Sequence, residues 1–232
     1  MNSGRELYLH QEVMLLSLKE DKGTVESGAY YKTALGATLL AELMLTGRVQ
    51  VEQDKKKKFL RVIDPAPLGD ALLDECLERV RTAKKRQQLQ TWVSRFANTK
   101  DLKNRVARDL CRRGILRQDE DKVLKIFKRT IYPEINPLPE REIVARLNRA
   151  IQGDGEVDAR TTTLVAVAQG ANLLKNAVDK QTLKNRKERI KRIANGDAAG
   201  KAAQDLVQAA QMAAVMVAVS AATIAATTST TS

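Results

Sequence analysis

TALGATLLAELMLTGRVQV, residues 33–51, is the stretch whose reading decides the fold. Ala34, Leu35, Ala37, Leu39, Leu40, Leu43 and Leu45 fall nearly all round a period of about 3.6 residues, and a helix without a polar face is one surrounded by other elements. The stretch therefore predicts a buried central helix. Glu42 and the threonines are its only interruptions, which assigns it to the core and not to chemistry. Gly47 supplies a residue free to take positive φ where the helix must stop. Arg48, Val49, Gln50 and Val51 then change to the two-residue alternation of a strand.

Outward from that helix, composition sets the limits. With 232 residues, 43% of them hydrophobic, the chain has enough apolar material for a sizeable core. The predicted fold class is mainly α: one compact helical domain over residues 1–232 around the central helix, with peripheral β-hairpins and disordered ends at 1–5 and 228–232. Forty Lys and Arg against 28 Asp and Glu give a net charge of +12, which points to a polyanionic partner, either nucleic acid or an acidic membrane. Aromatic residues make up only 3%, too few for a base-stacking platform. Cys76 and Cys111 match no zinc spacing and form no disulfide framework, so they are expected to be small core residues in a reducing compartment. No basic segment followed by an apolar run and a cleavage site opens the chain, so no secretion signal is expected and a cytoplasmic location is.

Residues 6–18 alternate at first and then turn helical through Val13, Leu15, Leu16 and Leu18. His10, the single histidine, lacks a nucleophile or metal partner nearby and is expected to be structural. Four consecutive lysines at 55–58 precede an alternating Phe59–Ile63 run, a hairpin with a basic loop; Asp70 then caps a helix starting at Ala71. Trp92, Val93 and Phe96 share helical spacing and are expected in the core.

Residues 101–113 form a helix with Leu102, Val106 and Leu110 on one stripe. Lys100, Lys103, Arg105, Arg108, Arg112 and Arg113 lie around it, the strongest basic surface in the sequence. After Gly114 a second hairpin is expected, starting at Ile115-Leu116, turning at 118–121 and returning through 123–127. Helices follow at 138–151, with Ile143, Val144, Leu147 and Ile151 as its stripe, and at 161–178. Residues 180–192 are strongly basic, and 202–227 predict an alanine-rich helix packed on the core and not a membrane span.

Two motifs fall short. Residues 196–202 resemble a phosphate loop with its glycines one residue too close and Ala202 in place of the magnesium-binding hydroxyl. Asp154, Glu156 and Asp158 suggest a calcium loop, but Ala159 and Val165 stand where a glycine and a bidentate glutamate belong. With no catalytic constellation and no metal or cofactor site legible, the sequence predicts a binding protein and not an enzyme.

Taken in order, Leu7-Tyr8-Leu9-His10-Gln11-Glu12-Val13 with Leu15-Leu16, Leu35-Gly36-Ala37 with residues 42–48, Gly69-Asp70 with Leu73-Asp74-Glu75, and Arg113-Gly114-Ile115-Leu116 resemble the Golgi phosphoprotein 3 family. The resemblance runs from Leu7 to about Ala226. It implies one mostly helical domain in a divergent, bacterial-type member, and a peripheral membrane protein that holds a phosphatidylinositol 4-phosphate headgroup in a basic pocket while an apolar hairpin enters the bilayer. The family's two pocket arginines fall at Lys100 and Lys103, where charge is kept and the bidentate fork is lost. Its pocket tryptophan falls near Ser27 or Gly28 and a further arginine near Gly36, so neither is present; Tyr30, Tyr31 and Lys32 stand close by.

The expected function is therefore reversible binding of anionic phospholipid, phosphoinositide included. Lys100, Lys103, Arg105 and Lys32 are the expected headgroup contacts, and Leu124, Ile126 and Phe127 the inserting hairpin. Client membrane proteins and self-association remain open as further partners. The alternative is a winged-helix arrangement on nucleic acid, with the 101–113 helix followed by a hairpin wing.

Overall fold

Residues 31–45 wind into the helix around which the rest is packed, and every residue from 34 to 44 is buried. The computed structural model describes residues 6–19, 22–25, 30–55, 57–123 and 127–199, with backbone alone at 122, 123 and 127. The central helix, α2 (Tyr31–Leu45), absorbs its threonines by turning their hydroxyls onto its own backbone: Thr38 Oγ1 donates to Ala34 O at 2.9 Å and Thr46 Oγ1 to Glu42 O at 2.7 Å. It stops as expected at Gly47, whose φ of 70° lets Gly47 N–H reach Met44 O at 3.0 Å and Arg48 N–H reach Leu43 O at 2.8 Å.

Preceding it in the chain, α1 (Leu9–Ser17) has all nine residues buried, polar ones included. The expected extended lead-in is short, and the helix begins directly at Leu9. Helix α2 packs on α1 and on α4 (Leu89–Ala97), which carries Trp92, Val93 and Phe96 into the core. Gly36 sets the closeness of that last contact: a Cβ there would lie 2.6 Å from both Ala97 N and Val93 O. Between these helices come the antiparallel hairpin of β1 (Val49–Asp54) and β2 (Lys57–Val62), in register Val49↔Val62, and α3 (Ala71–Arg81). Only Val49 and Leu60 of the hairpin are buried, so it lies at the periphery. Asp70 caps α3 by accepting from Leu72 N–H and Leu73 N–H, both at 2.9 Å.

Beyond α5 (Leu102–Arg112) the second hairpin differs from the expected one. Its strands are β3 (Asp119–Val123) and β4 (Phe127–Ile131), in register Asp119↔Ile131 to Val123↔Phe127. Ile115-Leu116 does not open a strand; Leu116 makes one isolated bridge to Glu134. Val123 ends β3 and pairs with Phe127, which opens β4, so the return strand begins at Phe127 and not at Val123. Three polar, exposed or half-exposed residues, Asp119, Glu120 and Asp121, start β3, and such a strand has no apolar alternation to betray it.

Helices α6 (Leu138–Gln152) and α7 (Ala159–Gly170) follow, then a single 3-10 turn (Leu174–Asn176), α8 (Lys180–Asn185) and α9 (Lys187–Ala194). The expected helix at 161–178 ends early because Asn172 adopts φ 58°, bringing Leu173 N–H to Ala168 O at 2.8 Å. Apolar spacing continues past that point because Leu173, Leu174, Ala177 and Val178 are also buried. The chain is mainly α, with two small two-stranded sheets among the described residues. The ends at 1–5 and 228–232 and the helix expected at 202–227 lie outside the described residues.

Candidate functional site: the α5 helix and its hairpin

Helix α5 is held by its inner face. Leu102, Val106, Ala107 and Leu110 are buried, packed on α1, which leaves its basic residues around the outside. After it the chain passes Gly114, and Arg117 N–H donates to Pro133 O at 2.9 Å while Ile135 N–H donates to Ile115 O at 2.9 Å, closing the base of the β3–β4 hairpin. A third segment locks that base: Tyr132 N–H donates to Gly23 O at 2.8 Å. Gly23 sits so close that a Cβ would meet Pro133 N at 2.2 Å.

Lys103 joins the helix to this base. Its Nζ lies 5.9 Å from the centre of the Tyr132 ring, a cation–π distance, and Tyr132 is itself 1% exposed. Burial pushes the Lys103 ammonium below its usual range, and the charge of Arg129 on β4 pushes the same way against the pull of Asp101. A lysine so placed gains from any anion brought beside it. Arg129 is held by Asp121 across the hairpin at 2.6 Å. Arg108 holds Asp101 at 2.7 Å, and this hydrogen bond keeps the Asp101 carboxyl below the ordinary carboxylate range.

The expected headgroup residues are placed unequally. Lys100 is exposed in the turn between α4 and α5 and makes no ion pair with a described residue. Lys103 is half-buried beside it. Arg105 points elsewhere, with its guanidinium on Glu75 of α3 at 2.7 Å, and that carboxylate also takes Arg79. Lys32 is exposed on the first turn of α2, on the face that Gly36 presents to α4. Of the inserting residues, Leu124 and Ile126 lie outside the described residues, as does the side chain of Phe127; β3 and β4 lead up to them. Tyr132, Arg129 and Gly23 were not singled out from sequence, because a contact between α5, the hairpin and the loop after α1 leaves no local pattern.

Two other features belong elsewhere. His10 is fully buried, stacked on Tyr8 at 5.9 Å and 3.5 Å from Asp70, the structural place expected for it. A cleft of about 590 Å³ lies between α1 and α6, lined by Arg113, Leu138, Glu142, Arg146 and Arg149 among others, and includes none of the expected site residues.

The model of the family described as Golgi phosphoprotein 3 (GPP34) matches residues 9–210. Vacuolar protein sorting-associated protein 74 of Schizosaccharomyces pombe is 24% identical to this chain over 223 residues, covering 81% of this chain and 65% of the relative. The chain thus spans less than two thirds of that relative's length.

Proposed function

The chain belongs to the Golgi phosphoprotein 3 (GPP34) family, and with that as the premise we propose that it binds anionic phospholipid, phosphoinositide among them, as a peripheral membrane protein. Lys100 and Lys103 attract the headgroup, Lys32 adds charge, and Leu124, Ile126 and Phe127 make the apolar contact. The observation that carries this reading is the position of Lys103: a half-buried ammonium 5.9 Å from the centre of the buried Tyr132 ring, under the influence of the hairpin's Arg129. Arg105 serves as a strut to α3, since its charge is already matched by Glu75. No helix among the described residues is long and apolar enough to cross a membrane. Charge attraction with shallow insertion is sufficient for reversible binding.

Nucleic acid is the weaker reading, because the family match extends over residues 9–210 and not over α5 and its hairpin alone. Co-sedimentation with neutral and anionic vesicles separates the two. Wild-type protein is expected to pellet with anionic vesicles only, and Lys100→Glu with Lys103→Glu to abolish that preference, since each charge near the surface contributes about 1 kcal/mol and reversal turns attraction into repulsion. Leu124→Ala with Phe127→Ala is expected to weaken binding to every vesicle while preserving the preference. Equal pelleting on neutral and anionic vesicles would sink the headgroup role, and early melting of the hairpin variant with unchanged affinity would remove the hairpin from it.

A further inference from the structure

Many exposed arginines of this protein are matched by carboxylates: Arg61 by Glu52, Arg81 by Glu78, Arg108 by Asp101, Arg112 by Asp109, Arg117 by Asp119 and Arg129 by Asp121. Several exposed lysines, Lys100 among them, have no such carboxylate, and α8 and α9 gather five exposed cations of this kind. Lys180, Lys184, Lys187, Lys191 and Arg192 are all exposed, and none makes an ion pair with a described residue. Glu188 is the single acid within the two helices. The Asp154 carboxyl is held below its usual range by Arg186, with Arg189 and Arg192 acting the same way, and the Arg189 guanidinium is pushed down by burial and by the charges of Arg192 and Arg186.

The orientation of this surface follows from packing. Ile190 and Ile193 are buried and seat α9 on α6 and α7, while Lys187 and Lys191 stay exposed. Helix α5 lies on α1, and α1, buried along its whole length, stands between α5 and α7. The lysines of α8 and α9 are thus separated from Lys100 and Lys103 by the body of the fold. Four of the five exposed cations are lysines, compact point charges that attract a negative surface without selecting a headgroup by a bidentate fork.

We propose that α8 and α9 form a second membrane contact, selective for negative charge alone, and that together with the α5 site it lets one molecule bridge two anionic bilayers. This rests on the membrane reading of the α5 site. The test uses vesicles of phosphatidylcholine with and without phosphatidylserine, followed both by co-sedimentation and by light scattering for clustering. Wild-type protein is expected to pellet with the anionic vesicles and to cluster them, and Lys184→Glu with Lys187→Glu and Lys191→Glu to pellet still while clustering falls to the level of neutral vesicles. All three side chains are exposed, so an unchanged melting temperature is the control for folding.

Pelleting without clustering by the wild type would overturn the bridge and leave the α5 site standing. Clustering by the triple variant equal to wild type would overturn it in favour of self-association through another surface. Failure of the wild type to pellet would remove both sites, and salt-sensitive duplex DNA binding through α8 and α9 in protein that clusters nothing would reassign the surface to nucleic acid.

Discussion

The Asp70 carboxylate sits at a buried helix start, accepting from Leu72 and Leu73 N–H and lying 3.5 Å from His10 Nε2. Burial alone would raise it, but the adjoining His10 and the two backbone donors outweigh that and hold it below its ordinary value of 3.8. Since the folded value lies below the unfolded one, the ionised cap contributes its full stability above pH 3.8 and loses it as pH falls through the lower, folded value. Asp70→Ala is expected to cost about 0.5–2 kcal/mol at neutral pH. Urea melts at a series of pH values should show that gap closing in acid; a constant gap would mean the carboxylate's charge is irrelevant. Cys76 gives a second test at this scale. It is 1% exposed, and burial pushes its thiol up to about 12, so a thiol reagent at neutral pH should leave it untouched in the native protein and modify it in denaturant.

Two glycines decide how the elements meet. At Gly36 an added Cβ would strike backbone of α4, which cannot swing aside as a side chain would, so Gly36→Ala must push α2 and α4 apart. Overpacking of this kind costs about 1–3 kcal/mol. At Gly23 the obstruction is the Tyr132–Pro133 backbone, and φ of 56° adds strain. Gly23→Ala should therefore lower anionic-vesicle affinity for a given loss of melting temperature more than Gly36→Ala does, because it loosens the hairpin base beside Lys103. Equal effects on affinity would show that the clamp does not position the site. Neither role was written in local sequence. The α2 helix was legible because burial on every side removes the polar face, and Asp70 because a cap needs a short acid just before an apolar stripe. The 123–127 segment misled for the converse reason: its apolar residues look like a strand interior, while the acidic β3 that precedes it carries no apolar pattern. The α5 site was half legible, its charges from composition along one helix, its Tyr132 and Gly23 contacts invisible until the chain is folded.

At the scale of the whole molecule, one arginine ties together segments far apart in the chain. Arg160, at the start of α7, donates to Glu42 of α2 at 3.1 and 3.2 Å, to Glu12 of α1 at 3.4 Å and to the Leu7 carbonyl, and Arg146 of α6 completes the cluster on Glu12 at 2.7 Å. Glu12 and Glu42 are 1% and 3% exposed, so their carboxylates depend on these partners and, for Glu42, on the Leu9 N–H at 2.7 Å. Burial pushes Glu12 above its ordinary value of 4.5 even with Arg160 and Arg146 drawing it down. Arg160→Leu removes one of those two pulls and leaves two buried acids short of a partner, a loss of about 3–5 kcal/mol. Against a total stability on the order of 5–15 kcal/mol, the variant would be close to unfolding at neutral pH. The sign of its pH dependence follows from the direction of the shift. A folded value above the unfolded one means that the variant is most stable below pH 4.5 and loses stability as pH rises through the folded value, so its deficit relative to the parent should be smallest in acid and widen toward neutrality. Adding Glu12→Gln and Glu42→Gln should recover part of the loss and flatten the profile. A deficit that stayed the same at every pH, or that the two Gln substitutions failed to reduce, would show that Arg160 stabilises the fold through packing of its side chain and not through the charges it neutralises.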